Sequence, residues 1–260
     1  GCTAAIGGLL GPAAAEEADP AAIVAGLFAA GGNHTGVRAS GAKGVCLKGE
    51  FTPAAGAAAL SKAPHFQKAV PVTARFSMGG SNPKVSDKAK PVTRGFAMRM
   101  SDPSGDMVFV VISAPVFSTR TPEQLLAALQ ARAPGPDGKP DAEKIKAFAA
   151  ANPEATRQAA WLNARPVPAS FAGVDYWGVH AYTLTNAKGE ATTARLKFVA
   201  ADKAGLSDDE LKAKPDSFYA DELKERLGRG PARFDLVAIL AEPGDPTNDA
   251  TVQWPEEQRK

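Results

Sequence analysis

Strand-like runs fall into two blocks in this chain with helix signals between them, an order that does not fit an alternating strand–helix repeat. Residues near 43–51, 70–77, 93–100 and 106–113 carry β-branched and aromatic side chains between Gly, Pro and Asp breaks, the composition of strands. Thr121-Pro122-Glu123-Gln124 then opens a helix, with Thr as N-cap, Pro at the first position and Gln three residues after the cap. That helix is predicted to run to about Arg132 and stop in Pro134-Gly135-Pro136, with two short helices near 141–151 and 153–163. Residues 174–185 and 191–199 begin the second block, joined by the hairpin signal Asn186-Ala187-Lys188-Gly189, and 232–241 makes a seventh run. An Ala-rich helix over 18–30 ending at Gly31-Gly32, a capping box at Ser207 and Glu210, and a helix over 217–228 flank the strands. The expected class is α+β.

A chain of 260 residues with 44% hydrophobic and 22% charged residues can bury one large core. Its net charge of +2, with both signs interspersed, argues against a nucleic-acid partner. No stretch reaches the roughly 20 apolar residues of a membrane span. Residues 3–15 are almost all small or apolar, and Ala13-Ala14-Ala15 before Glu16-Glu17 looks like a small-residue cleavage site. Residues 1–15 are therefore expected to be the remainder of a signal peptide, with a low-complexity arm as the alternative, and 16–260 a single domain. Cys46 is the only cysteine in the body of the chain, so no framework disulfide is expected, and a buried small hydrophobe is its expected role. His34, His65 and His180 fit no zinc spacing and are expected to be structural or surface residues. Asp208-Asp209-Glu210 begins a helix and Glu256-Glu257 is expected in an exposed tail, so neither is read as an acid–base pair. Dinucleotide, P-loop, nucleophile-elbow and Cys-x-x-Cys signatures are absent.

Residues 38–51 read Arg-Ala-Ser-Gly-Ala-Lys-Gly-Val-Cys-Leu-Lys-Gly-Glu-Phe. This stretch resembles the distal haem segment of catalases, in which an Arg, two spacers, a His and then Ala-Lys-Gly lead into a barrel strand. Further segments follow in the same order: Ala74-Arg75-Phe76-Ser77, Arg94-Gly95-Phe96-Ala97-Met98-Arg99, Asp106-Met107-Val108 through Ala114-Pro115-Val116-Phe117, and Glu242-Pro243-Gly244-Asp245-Pro246-Thr247-Asn248-Asp249. The last is similar to a segment of the small bacterial catalase-related peroxidases, and the resemblance runs from about Ile23 to Trp254. It implies an antiparallel β-barrel with inserted and flanking helices. Catalases have eight strands there; seven are countable here, so the eighth and the rest of the C-terminal part are expected beyond Lys260.

The resemblance also implies haem b. It assigns Arg38 and Arg75 to the propionates, Phe117 to the distal wall and Ser77 to the place of a serine that braces the distal histidine. Gly41 stands at the histidine position itself, and Ile112 where catalases have an asparagine. Glycine cannot move a proton, a loss typically worth about 10²–10⁴-fold, so restoring histidine at 41 is expected to raise the rate by roughly 10²-fold or more. The proximal ligand of catalases is a tyrosinate with an arginine four residues before it. Tyr176, Tyr182 and Tyr219 are preceded at that distance by Ala172, Gly178 and Pro215, so the axial tyrosine is expected beyond Lys260 and no metal ligand is assigned. The implied function is an exported, periplasmic haem peroxidase using hydrogen peroxide and a small organic reductant. A homo-oligomer is compatible with the sequence but not specified by it. The alternative is a non-catalytic barrel that binds haem or an apolar ligand after losing its distal base.

Overall fold

The computed structural model describes residues 18–135, 137–257 and 259, and the expected leader remnant at 1–15 lies outside them. The predicted strand runs become β1 (Gly44–Phe51), β2 (Val70–Met78), β3 (Arg94–Asp102), β4 (Gly105–Ile112), β5 (Tyr176–Thr185), β6 (Ala191–Ala200) and β7 (Phe234–Leu240). They pair in chain order, each antiparallel to the next, in one sheet whose edges are β1 and β7. The junction between β4 and β5 runs through the pair Ile112–Trp177, where the chain leaves the sheet for its helical insertion.

Alternation decides which face is core. Along β2 the burial pattern is strict: Val70, Val72, Ala74, Phe76 and Met78 are buried, while Pro71, Thr73, Arg75 and Ser77 point the other way. The aromatic rings on the buried face show that the sheet is curled. Phe76 on β2 and Phe234 on β7 have ring centroids 6.0 Å apart, whereas five strand spacings in a flat sheet would separate them by roughly 24 Å. Phe96 ties the same cluster together at 4.8 Å from Phe76, 5.2 Å from Phe198 and 5.3 Å from Phe234. The curl makes a half-barrel filled by these rings.

Helices precede the strands and lie between them along the chain. They are α1 (Pro20–Gly31), α2 (Ala57–Leu60), α3 (Pro122–Ala131), α4 (Ala142–Ala151), α5 (Arg157–Asn163), α6 (Asp208–Ala213) and α7 (Tyr219–Arg229). The Asp19 side chain caps α1 by accepting from Ala21 N, and Gly32 ends it in the left-handed region at φ 97°. Thr121 caps α3 as expected, but the Gln124 carboxamide accepts from Arg120 N at 2.7 Å, so that box closes one residue earlier. At Ser207 and Glu210 the reciprocal box is complete. Helix α1 packs against α3, and α3 against α4.

Phe76 touches rings from four other parts of the chain. Phe76→Ala should therefore cost about 3–5 kcal/mol, read as a lower urea midpoint with the slope unchanged.

Candidate functional site

The outward face of β1–β4 carries Arg75, Ser77 and Ile112 of the residues singled out in the sequence, while Arg38, Gly41 and Phe117 lie in loops outside the strands. Direct cross-strand partners share a face, and the register places Gly44, Ser77, Gly95, Ile112, Trp177 and Lys197 in one row across the sheet. The next row on that face is Cys46, Arg75, Ala97 and Val110. Val110 is 75% exposed and Val108, two residues earlier, is 59% exposed. This is an apolar platform open to solvent beside an arginine.

Arg75 lies flat against the loop that precedes β1. One of its nitrogens is 3.4 Å from Ala42 O, and a Cβ added at Gly44 would fall 2.7 Å from the guanidinium carbon. Glycine at 44 is what lets the guanidinium lie there. Gly41 is buried with φ +66°, in the left-handed region, and its Cβ would stand 3.0 Å from Ser77 Oγ and 3.4 Å from an Arg75 nitrogen. Position 41 is thus built around glycine in both backbone and space. The simple restoration of a histidine is opposed by about 1–2 kcal/mol of backbone strain, before any contact with Ser77 is counted.

Burial holds the Arg75 pKa below the usual guanidinium range; the Arg38 charge beside it acts the same way, and the neighbouring Cys46 acts against both. Neither arginine forms an ion pair with a carboxylate among the described residues. Two adjacent cations without an anion, next to an exposed apolar surface, suit a flat ligand with acidic groups at its edge. Cys46 is exposed, not the buried hydrophobe expected, because alternation along β1 turns Val45 and Leu47 inward and Cys46 toward Arg75. Phe117 is half-buried, and its backbone N–H donates to Ala250 O at 2.8 Å, so the bond that fixes it runs to the C-terminal segment.

The loop bearing Gly41 is anchored by Lys43. Its Nζ lies 2.7 Å from Asp87 Oδ1 and donates to Val85 O and Ser217 Oγ at 2.8 and 2.9 Å. Asp87 is 1% exposed, and its other oxygen accepts from Phe218 N and Tyr219 N at the start of α7. Arg94, also buried, donates to Asp87 O, Val92 O and the Tyr219 hydroxyl. Sequence reading named Lys43 and Arg94 but missed Asp87; its partners at 218 and 219 are 131 and 132 positions away, where no local pattern reaches.

The buried tyrosines are phenols. Burial pushes Tyr176 well above the usual tyrosine range and Tyr219 up to about 12. Their hydroxyls donate to Phe171 O and Pro168 O at 2.7 and 2.9 Å. Neither fits a tyrosinate ligand. His65 is buried with Nε2 2.9 Å from Gly105 O, and His180 is exposed on β5.

A separate cavity of about 710 Å³ opens between α5 and β5–β6, lined among others by Trp161, Arg165, Asp175, Trp177, Lys197 and Lys203. Glu256 closes one side: it accepts from Trp177 Nε1 and pairs with Lys197, both at 2.7 Å. It is therefore tied down, not in a free tail as expected.

The catalase family model matches residues 34–230. A catalase-related peroxidase of Synechococcus elongatus is 34% identical over 251 residues, 95% of this chain and 74% of that protein. One from Mycolicibacterium paratuberculosis is 35% identical over 86% of this chain and 72% of its own length. Among solved structures, a bacterial catalase superposes with TM-score 0.77 at 20% identity, over 98% of this chain and 52% of its own. Catalase A from Saccharomyces cerevisiae gives 0.76 at 19% identity, over 86% and 49%. The chain spans about half the length of these solved catalases.

Two substitutions test the geometry. Asp87→Ala strands the Lys43 charge and two helix N–H groups, and should destabilise by about 3–5 kcal/mol in urea unfolding. Gly41→Ala should cost about 1–2 kcal/mol because the left-handed backbone opposes an L side chain. No loss at Gly41→Ala would mean that the loop shifts readily and that position 41 is not held as described.

Proposed function

Because this chain belongs to the catalase family, we propose that it is a haem b-dependent oxidoreductase that reduces a peroxide at the expense of a small organic reductant. The observation that carries this reading is the Arg38–Arg75 pair, two cations without a carboxylate partner among the described residues, beside the open Ala97–Val110 surface. In this reading the two guanidinium groups hold the propionates, with Arg75 pre-aimed by its contact with the 41–44 loop. Ala97, Val108 and Val110 would offer the haem an apolar surface, with Ser77 and Ile112 in the adjacent row of the same face. The haem supplies redox-active iron for peroxide reduction. The chain's own part is to bind and orient the haem. Ser77 can hold a peroxide oxygen by a hydrogen bond but is too weak a base to take its proton. Export to the periplasm belongs to the same proposal, supported by the small-residue run before Glu16.

A second reading is favoured by one observation. Gly41 lacks a base and sits in a backbone made for glycine, which suits a barrel that binds haem without turning over peroxide. A Soret band with no peroxide consumption would select it.

Haem titration followed at the Soret band tests the anchoring. Arg75→Met should weaken haem binding on the order of 10- to 100-fold, the worth of a charge-assisted hydrogen bond. Lys144→Met, which removes an exposed cation on α4, should leave it unchanged. Equal affinity in both variants would remove Arg75 from the site.

A further inference from the structure

The cavity of about 710 Å³ beside α5 has no part in the haem reading, and its volume is in the range of small-molecule sites. Leu162, Pro166, Pro168, Val174 and Pro255 give it apolar walls around two tryptophans. Trp161 on α5 and Trp177 on β5 stand at 81° to each other with ring centroids 5.8 Å apart. Such a corner lets a flat ring lie along one indole and meet the edge of the other.

Most charges around the cavity are already paired. Lys197 Nζ lies 2.7 Å from Glu256 and 3.4 Å from Asp175, and Lys203 Nζ lies 3.1 Å from the same Asp175 oxygen. Lys90 donates to Asn163 O and Arg165 O, so its charge covers the negative end of α5. Arg165 is different. Its guanidinium lies over the Trp161 ring and donates to Trp161 O at 3.2 Å, and it has no carboxylate partner among the described residues. Partial burial lowers its pKa below the usual guanidinium range, with no anion acting against the shift.

We propose that this cavity binds an aromatic monocarboxylate of at least two rings. The carboxylate pairs with the planar Arg165 fork, which matches its two oxygens, and the rings fill the corner between Trp161 and Trp177. One uncommitted guanidinium suits one negative charge. A phosphate dianion would instead meet Asp175, Glu256 and Glu257 in the same cavity, with Lys197 and Lys203 already engaged.

Isothermal titration of the full chain with 2-naphthoate at neutral pH should give a Kd of about 100 μM or tighter. The neutral analogue 2-naphthalenemethanol should bind at least about tenfold more weakly, for want of a charge-assisted hydrogen bond. Cyclohexanecarboxylate, charged but not flat, and adenosine monophosphate, flat but dianionic, should each also bind at least about tenfold more weakly. Arg165→Gln, a change at an exposed side chain, should bring 2-naphthoate down to the affinity of the alcohol. Arg75→Met should leave 2-naphthoate binding unchanged, which separates this cavity from the Arg38–Arg75 face. The proposal would be overturned by no heat at about 1 mM 2-naphthoate or by equal affinity for the acid and the alcohol. Tighter binding of adenosine monophosphate, or a loss that follows Arg75 in place of Arg165, would overturn it as well. None of these titrations needs haem, so a negative result leaves the haem reading standing.

Discussion

One buried carboxylate holds together the three segments on which the site depends. Asp87 joins Lys43 of the loop before β1 to the first turn of α7, and its own carbonyl accepts from Arg94 on β3. A charge that is 1% exposed is tolerable only with such partners, since an unpaired buried ion costs several kcal/mol. The two helix N–H groups would otherwise be unsatisfied at the start of α7, which has no cap from its own Phe218. The ion pair therefore does more than pair charges: it sets where residues 41–44 lie, and Arg75 rests on that loop.

Core and site are two faces of the same strands, one residue out of phase. Phe76 points into the aromatic cluster while Arg75 and Ser77 on either side of it point out. A slip of one residue in β2 would bury a guanidinium and expose Phe76, a change the packed rings forbid. The stability of the core is in this way transmitted to the placement of the arginine. The same logic explains Cys46, which shares the face of Arg75 by register and not by any property of the thiol.

Most of the fold could be read along the chain because its signals are local. The strands announce themselves by composition and the β5–β6 hairpin by Asn186–Gly189, while α3 begins at a Thr-Pro cap. What escaped was set by distance or by backbone angle. The link from Asp87 to residues 218 and 219 has no signature within any window, and neither does the tie from Glu256 to Lys197. The burial of Cys46 was misjudged because residue type predicts depth only on average, while alternation along a strand assigns the face. The positive φ at Gly41 is a geometric fact that the letter G permits but does not declare.

Gly41 then reads differently from a histidine lost. Were it only a deletion, the loop would keep a backbone suited to any residue and an empty volume would mark the missing ring. Instead φ is +66°, and Ser77 and Arg75 already stand within 3.0 and 3.4 Å of where a Cβ would begin. The guanidinium can lie on the loop because glycine at 44 makes room for it, while the tight contact at 41 is with Ser77 Oγ. A side chain entering at position 41 must therefore first displace Ser77 Oγ, and it then stands in contact with the arginine that the anchoring of an acidic ligand needs. A site organised in this way has no proton-transferring side chain at position 41 and keeps its positive charge for the anchoring of an acidic ligand.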